Sequence, residues 1–163
     1  MGSIFFILFI LNDFKNVSVT FDLLNEGLTT SASTPAVDWD GVHVFLRYQS
    51  EESLYYASIN RRDNKVIIKK KVPGGSSNGG TYYNLSTLNS SSVSYGSWQK
   101  VKASVKDNSD GSVTIQLFAN DKLVASATDN GSVGGAPIRN QGKVGIRADN
   151  TNAKFKNFTV TSI

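Results

Sequence analysis

The feature that most constrains this chain is a run of alternating apolar and polar residues between Gly41 and Val72. Side chains that alternate with a period of two are typical of half-buried β-strands. Two short polar stretches, Gln49–Ser53 and Arg62–Lys65, interrupt the run and have the composition of turns. The pattern therefore predicts an antiparallel meander of three strands joined by these two turns.

The meander has one face that is suited to a core and one that is not. The residues predicted to face the core are apolar or aromatic, and they are Val42, Val44, Leu46, Tyr48, Tyr55 and Ile59. The residues predicted on the opposite face are polar or flat, and they are His43, Arg47, Tyr56, Ser58 and Asn60. We expect the functional site on this second face, because a core would not select such groups.

Composition limits both the fold and the chemistry. The length of 163 residues predicts one domain, residues 1–163, with a single sizeable core. The absence of cysteine excludes disulfides and cysteine metal sites, and a single histidine cannot build an imidazole zinc site. The net charge of +4 is too dispersed to indicate a nucleic-acid partner. The densest basic cluster, Lys69-Lys70-Lys71, is interpreted as a solvated strand edge.

The N-terminal stretch Met1–Leu11 is apolar but does not have the features of a signal peptide. It lacks a basic beginning and a small-residue cleavage site, and its apolar run is too short to span a bilayer. We interpret Met1–Ser3 as residues added before the domain and Ile4–Leu11 as a strand. We expect no membrane segment.

The rest of the chain continues as short strands without helices. Their predicted positions are Phe14–Leu24, Trp98–Lys106, a run through Val113, Ile115 and Leu117, then Leu123–Thr128, Lys143–Arg147 and Ala153–Ile163. Residues 25–40 form a long loop, which in a compact domain is usually functional or mobile. Trp98 is expected in the core. Phe155 and Phe158 differ in parity, so either a bulge intervenes or only one of them is buried.

The order of these segments resembles the concanavalin A-like jelly roll, and more narrowly the laminin-G-like and carbohydrate-binding domains of secreted polysaccharide-active proteins. The resemblance covers Phe14 to the end of the chain. The segments that carry it are Gly41–Gln49, Leu54–Tyr56, Val66–Lys71, Gly96–Trp98, Ile115–Val124, Gly142–Arg147 and Phe155–Val160. It implies an all-β fold, a two-sheet antiparallel jelly-roll sandwich. It also implies an extracellular domain that is tethered to a catalytic domain.

Catalytic motifs of this fold are weakly matched. Retaining glycosidases need two carboxylates close together, and no run of alternating acids exists here. Lyases that resemble this domain use arginine, an amide, histidine and tyrosine to neutralise a uronate and remove its C5 proton. His43, Arg47, Tyr56 and Gln116 would be the corresponding groups, but the longer lyase motifs are missing. We therefore predict no catalytic residues.

Carbohydrate binding requires only stacking rings and hydrogen-bonding groups. The ligand-binding residues predicted from the sequence are His43, Arg47, Tyr56, Asn60, Trp39, Tyr82 and Tyr83. Tyr82 and Tyr83 cannot both point the same way in an extended chain, so at most one is a strong candidate. Arg47 needs an acidic partner or a ligand, and a cross-strand salt bridge would give it a purely structural role.

Metal binding has no specific signal. The acidic turns at Asp38/Asp40 and Asp107/Asp110 lack calcium-ligand spacing, so we predict no cofactor and no metal. The function predicted first is a non-catalytic, lectin-like module that binds a polysaccharide or oligosaccharide. The alternatives are a small lyase acting on a uronate polymer and a protein-interaction or adhesion domain. If Lys69 and Lys71 add to the field at the site, an acidic polysaccharide is preferred.

Overall fold

The computed structural model describes residues 6–90 and 94–163, and they form twelve β-strands. The strands are β1 Phe6–Phe14, β2 Val17–Leu28, β3 Gly41–Ser50, β4 Ser53–Ile59, β5 Lys65–Ser77, β6 Gly80–Asn84, β7 Asn89–Ser90, β8 Gln99–Asp107, β9 Val113–Ala119, β10 Lys122–Asp129, β11 Gly142–Asp149 and β12 Thr151–Ser162. The predicted strand Ile4–Leu11 is found from Phe6 onward, whereas Ile4, Phe5 and Met1–Ser3 lie outside the described residues. This part of the chain contains no helix long and apolar enough to cross a bilayer.

The strands pair into two antiparallel sheets. The larger sheet has the order β1-β11-β3-β4-β5-β6, with the short β7 paired to β5, and the smaller has the order β10-β9-β8-β2-β12. The predicted meander is therefore the centre of the larger sheet. This architecture confirms the all-β, two-sheet jelly-roll fold.

The core lies between the two sheets. The shared parity of apolar residues within their strands predicts nine residues in this core. All nine are inaccessible to solvent, and they are Val44, Leu46, Tyr55, Ile59, Val101, Val105, Ile115, Leu117 and Ile146. Each strand places alternate side chains on the same face, so its inward residues meet those of the facing sheet. The sequence pattern therefore correctly predicted these nine core residues.

A bulge in β3 breaks the alternation at Arg47. Its backbone has a φ of 48°, and the pairing shifts register there against both β4 and β11. The extra residue reverses the parity that follows. Arg47 therefore turns away from the outer face and Tyr48 turns toward it, so the predictions for these two side chains were both wrong.

A second bulge, in β12, resolves the parity of Phe155 and Phe158. Asn157 has a φ of 54°, and the pairing with β2 shifts between Lys156 and Thr159. Both rings consequently pack against Phe21, at centroid distances of 5.8 and 6.1 Å. The alternative with a bulge was the correct one.

Two other expectations were wrong. Trp98 precedes β8, is 42% exposed, and carries the Lys156 ammonium 4.0 Å above its ring, so it does not belong to the core. The basic cluster is not a strand edge, because β5 lies between β4 and β6. Lys70 points into the sandwich, where its ammonium pairs with Asp129 at 2.8 Å.

Candidate functional site

The outer face of the larger sheet carries an aromatic cluster separate from the core. Phe45, Leu54 and Tyr56 are buried in it, and the side chains packed against them are Phe9, Tyr48 and Tyr82. Cross-strand pairing places Phe45 opposite Tyr56, and the centroids of their rings lie 5.7 Å apart. Tyr82 extends the cluster, with its ring centroid 5.6 Å from that of Tyr56. This face is thus a surface of flat rings.

A cleft of about 330 Å³ opens above these rings. The residues that line it are Trp39, Tyr56, Lys69, Lys71, Ser77, Asn78, Tyr82 and Arg147. A smaller depression of about 170 Å³ adjoins the cleft and shares Lys71, Tyr82 and Arg147 with it. Together they form a continuous recess across the outer face.

Trp39 borders the cleft from the loop that precedes β3. The neighbouring Asp40 holds this loop in place, because its carboxylate accepts hydrogen bonds from Arg62 Nε and Asn150 Nδ2, both at 3.0 Å. Arg62 also donates its backbone N–H to the Asp40 carbonyl at 2.8 Å. The indole, which is 52% exposed, therefore stands on an anchored loop.

The β5–β6 hairpin supplies another wall. Its tip contributes Ser77 and Asn78, and Asn78 donates a hydrogen bond to Glu51 Oε1 at 2.9 Å. Gly79 has a φ of 77°, and a Cβ at this position would collide with the Glu52 carboxylate. Glycine thus allows the hairpin tip to lie against the β3–β4 turn, where it borders the cleft.

A buried polar group supports the floor of the cleft. His43 stacks against the Tyr56 ring at a centroid distance of 4.5 Å and an interplanar angle of 18°. Its Nδ1 lies 3.0 Å from Ser58 Oγ, and its Nε2 lies 3.4 Å from Asp149 Oδ2. Burial lowers the pKa of His43 below its ordinary value, and the neighbouring Asp149 offsets this only in part. The imidazole is therefore neutral at neutral pH.

Asp149 also orients Arg147, a cation of the cleft. Arg147 Nε donates to Asp149 Oδ1 at 2.8 Å. Burial alone would raise the pKa of Asp149, but His43 and the Arg147 guanidinium outweigh it and hold that pKa below its ordinary value. Asp149 is therefore a carboxylate that fixes Arg147 from below.

The two lysines of the cleft both lie near the ring of Tyr82. The ammonium nitrogen of Lys71 is 5.0 Å from the centroid of the Tyr82 ring and that of Lys69 is 5.8 Å away. Burial lowers the pKa of both lysines. Burial also raises the pKa of Tyr56 and of Tyr82, so both phenols remain protonated and can donate hydrogen bonds.

Of the residues predicted for the site, the structure brings Trp39, Tyr56 and Tyr82 together around the cleft. His43 lies beneath them and is fully buried. Arg47, Asn60 and Tyr83 lie elsewhere. The predicted placement of Arg47 and Asn60 on the same outer face as His43 and Tyr56 was wrong, whereas only one of the two adjacent tyrosines was expected at the site, and it is Tyr82.

Arg47 is buried at the end of the sandwich, on the far side of its bulge. Its guanidinium pairs with Asp107 of β8 at 2.8 Å and donates to the carbonyls of Lys15 and Ile138 at 2.9 and 2.8 Å. Partial burial would raise the pKa of Asp107, but Arg47 and Lys15 hold it below its ordinary value. This salt bridge joins the two sheets and is not the cross-strand bridge considered as an alternative, but it gives Arg47 the same structural role.

Asn60 and Tyr83 are displaced for different reasons. Asn60 has a φ of 56°, and its side-chain oxygen accepts a hydrogen bond from Asn25 of β2, inside the sandwich. Tyr83 follows Tyr82 in a strand and so points to the opposite side of the sheet. There it lies against Gly134 of the loop before β11.

Sequence reasoning missed Arg147 and did not assign Lys69 and Lys71 to the binding residues. Arg147 alternates with the inward-facing Val144 and Ile146, and this parity places it on the outer face. The pairing of β11 with β3, which sets Arg147 opposite His43, could not be read from the sequence. Among residues 6–90 and 94–163, no group of three or more acidic or histidine side chains is arranged to hold a metal ion.

The fold and the cleft define a jelly-roll domain of the carbohydrate-related type. Residues 8–161 match the family described as the 3-keto-alpha-glucoside-1,2-lyase-like domain. The match spans nearly the whole chain, so the chain belongs to this family. A comparison with curated protein sequences finds no match.

Solved structures with similar folds are distant in sequence. The carbohydrate-binding module CBM66 from Bacillus subtilis has a TM-score of 0.66 and 11% identity, over 96% of this chain and 81% of that one. A Bacillus subtilis protein of unknown function with a galectin-like fold has a TM-score of 0.68 and 14% identity, over 99% and 79%. The endo-beta-1,4-glucuronan lyase from Trichoderma reesei has a TM-score of 0.54 and 10% identity, over 99% and 76%. These likenesses establish the fold.

Proposed function

We propose that this domain binds an oligosaccharide or polysaccharide in the outer-face cleft without cleaving it. The observation that carries the proposal is the convergence of three rings, Trp39, Tyr56 and Tyr82, on one cleft of about 330 Å³. Sugar rings present apolar C–H faces that pack on aromatic rings, and their hydroxyls need polar partners beside them. Arg147 and Asn78 supply such partners in the same cleft.

The groups that would act as a base are poorly placed for catalysis. His43 is fully covered, with one ring nitrogen beside Ser58 and the other beside Asp149. A general base must come within hydrogen-bonding reach of the substrate proton. The raised pKa of Tyr56, caused by burial, keeps its phenol protonated. Both side chains therefore favour recognition over proton abstraction, in keeping with the relative named as a carbohydrate-binding module.

Two adjacent tyrosines offer a matched test. Tyr82 lines the cleft, whereas Tyr83 points to the other side of the same strand. A glycan array would first identify a bound oligosaccharide, and calorimetry would then measure its affinity for each variant. We expect Tyr82→Ala to weaken binding about tenfold, the loss of about 1.4 kcal/mol of stacking. Tyr83→Ala is expected to change the affinity less than about twofold.

Two outcomes would contradict the proposal. Equal affinities for the two variants would place the site outside the cleft. An array with no bound glycan would favour a protein-interaction domain instead.

Eliminative cleavage is the second candidate function, and the lysines of the cleft favour it. A lyase removes a proton beside a carbonyl or carboxyl group and expels the glycosidic oxygen. An amine whose pKa is lowered by burial, as at Lys69 and Lys71, is suited to accept such a proton. The family description also contains the word lyase.

The test is incubation with glucuronan, alginate, pectate and a 3-keto-glucoside while unsaturated product is monitored. We expect no product. Turnover that disappears in Lys71→Gln or Lys69→Gln would establish elimination in place of binding alone. Turnover that disappears in His43→Gln would assign the base to His43.

We further infer an extracellular location and a link to a catalytic domain. Both rest on the resemblance to modules of secreted polysaccharide-active proteins. Immunodetection of the native protein in culture supernatant and in cell fractions tests its location. Measurement of the apparent mass of the detected protein tests the link to a catalytic domain. A protein confined to the cytosolic fraction would overturn the first inference, and a native mass no larger than 17.6 kDa would overturn the second.

A further inference from the structure

The cleft carries three cations and no acid. Lys69, Lys71 and Arg147 are among its lining residues, whereas no aspartate or glutamate is. Glu51 lines only the adjoining depression and accepts a hydrogen bond from Asn78. The charged side chains that line the cleft are therefore all positive, and one of them, Arg147, pairs with Asp149 beneath the cleft.

Among the described residues, Lys71 differs from the other buried cations because it has no carboxylate partner. Arg47, Arg61 and Lys70 each have a carboxylate partner within 3 Å, namely Asp107, Asp63 and Asp129. Lys71 is only 2% exposed, yet none of the described carboxylates lies within 4 Å of its ammonium group. A cation removed from water without a counterion costs free energy. A bound anion would remove this cost.

The surroundings of Lys71 place such an anion beside a stacking ring. Lys71 pairs across the sheet with Tyr82, and both residues line the cleft as well as the adjoining depression, as does Arg147. The ammonium group of Lys69 also lies near this ring, 5.8 Å from its centroid. A negatively charged substituent near Lys71 and Arg147 would therefore belong to a sugar packed on Tyr82.

The protonation of the lysines agrees with this geometry. Burial lowers the pKa of Lys71, and Arg147 lowers it further, while Glu51 and Glu52 offset part of this effect. Burial also lowers the pKa of Lys69, and Arg61 lowers it further. An anion in the cleft would raise both pKa values and be bound more tightly in return.

We infer that the ligand of this cleft is an anionic saccharide whose carboxylate or sulfate group is held by Lys71 and Arg147, with Lys69 adding to the positive field. This inference rests on the proposed binding function and specifies the class of sugar. Both anionic groups share the chemistry of negatively charged oxygens, which ammonium and guanidinium groups bind with charge-assisted hydrogen bonds.

The experiment compares matched probes by calorimetry. They are glucuronan oligosaccharides, the same oligosaccharides after their carboxyl groups are reduced to alcohols, and a sulfated oligosaccharide of similar length. We expect the reduced probe to bind at least about tenfold more weakly than the acidic one, since a charge-assisted contact is lost. Tighter binding of the sulfated probe than of the uronate would identify sulfate as the preferred anion.

Lys71→Gln is the test variant, and Lys102→Gln is its control. Lys102 lies on β8 in the other sheet, above the ring of Phe118, so its substitution removes the same net charge away from the cleft. We expect Lys71→Gln to weaken binding of the acidic probe about tenfold and of the reduced probe less than about twofold. Lys102→Gln should leave both affinities unchanged.

A second measurement needs no variant. Raising the salt concentration from about 0.05 to about 0.5 M should weaken binding of the acidic probe by wild-type protein and leave the reduced probe unaffected. Equal binding of acidic and reduced probes, with loss of both in Tyr82→Ala, would overturn the anion inference while the binding function stands. Failure of all probes and of the glycan array would overturn the binding function itself.

Discussion

Arg47 connects β3 to three other parts of the chain through one side chain. Its guanidinium reaches Lys15 and Asn16 between β1 and β2, Ile138 in the loop before β11, and Asp107 at the end of β8. Its positive φ is what directs the side chain there. Arg47 thus holds these segments together at one end of the sandwich.

Arg47→Ala is expected to lower the free energy of unfolding by about 3 kcal/mol, because it leaves Asp107 and two carbonyls without their buried partner. The affinity of the folded variant for the best array ligand should be unchanged, since Arg47 does not line the cleft. Urea unfolding and calorimetry measure the two effects.

Arg139→Ala is the matched control. Arg139 contacts the same Asp107, at 3.6 Å, but is half exposed, and exposed ion pairs contribute little. A loss of less than about 1 kcal/mol is expected. Comparable losses of unfolding free energy in Arg47→Ala and Arg139→Ala would contradict the structural role of Arg47. Weaker ligand binding by Arg47→Ala would contradict it as well.

At the scale of elements, the start of β3 determines where the Trp39 loop joins the larger sheet. Gly41 begins the strand with a φ of 147°, and a Cβ there would lie 2.6 Å from the carbonyl oxygen of Asn60. Gly27, near the end of β2, has a nearly identical φ of 149°, and a Cβ there would meet nothing within 4 Å. The two glycines share backbone strain but differ in packing.

Gly27→Ala should therefore cost about 1 kcal/mol of stability through strain alone. Gly41→Ala should cost about 2 kcal/mol more, because the strand must move away from Asn60. It should also weaken ligand binding, since Trp39 lies two residues before this strand. Urea unfolding of both variants supplies the comparison, and equal costs would show that the contact at Gly41 relaxes freely.

At the scale of the whole molecule, the pH dependence of stability follows from groups buried in both halves of the sandwich. The pKa values of His43, Asp107 and Asp149 are all lowered in the folded protein. At pH values between the folded and unfolded pKa, the unfolded chain binds more protons, so acidification favours unfolding. The stabilisation that each of these groups provides is fully present above its pKa in the unfolded chain, and it is lost as the pH falls through its pKa in the folded protein.

We therefore expect stability to fall first below about pH 6.5, where unfolded histidine titrates, and again below about pH 4. His43 is the sole histidine of the chain, so His43→Gln should abolish the first step and keep the second. The measurement is the urea midpoint at intervals from about pH 3 to about pH 8. A wild-type curve that is flat between about pH 5 and pH 7.5, or a first step that survives in His43→Gln, would refute the assignment.

Period-two alternation in a succession of short strands without helices determined the all-β class, the central meander and the nine core residues, whereas the jelly-roll topology was expected from the family resemblance. These depend on local chain geometry, because neighbouring side chains in a strand point to opposite faces. The same rule correctly separated Tyr82 from Tyr83. It also placed Tyr56 on the outer face that carries the cleft.

Tertiary structure alone decided which polar groups belong to the cleft. The bulge at Arg47 and the positive φ of Asn60 redirect two predicted side chains, because one residue out of register reverses the face that follows. Arg147 and Asp149 reach His43 only through the pairing of β11 with β3, although both lie more than 100 positions from His43 in the sequence. Such partners are selected by sheet order and long-range packing, for which the alternation within a single strand contains no information.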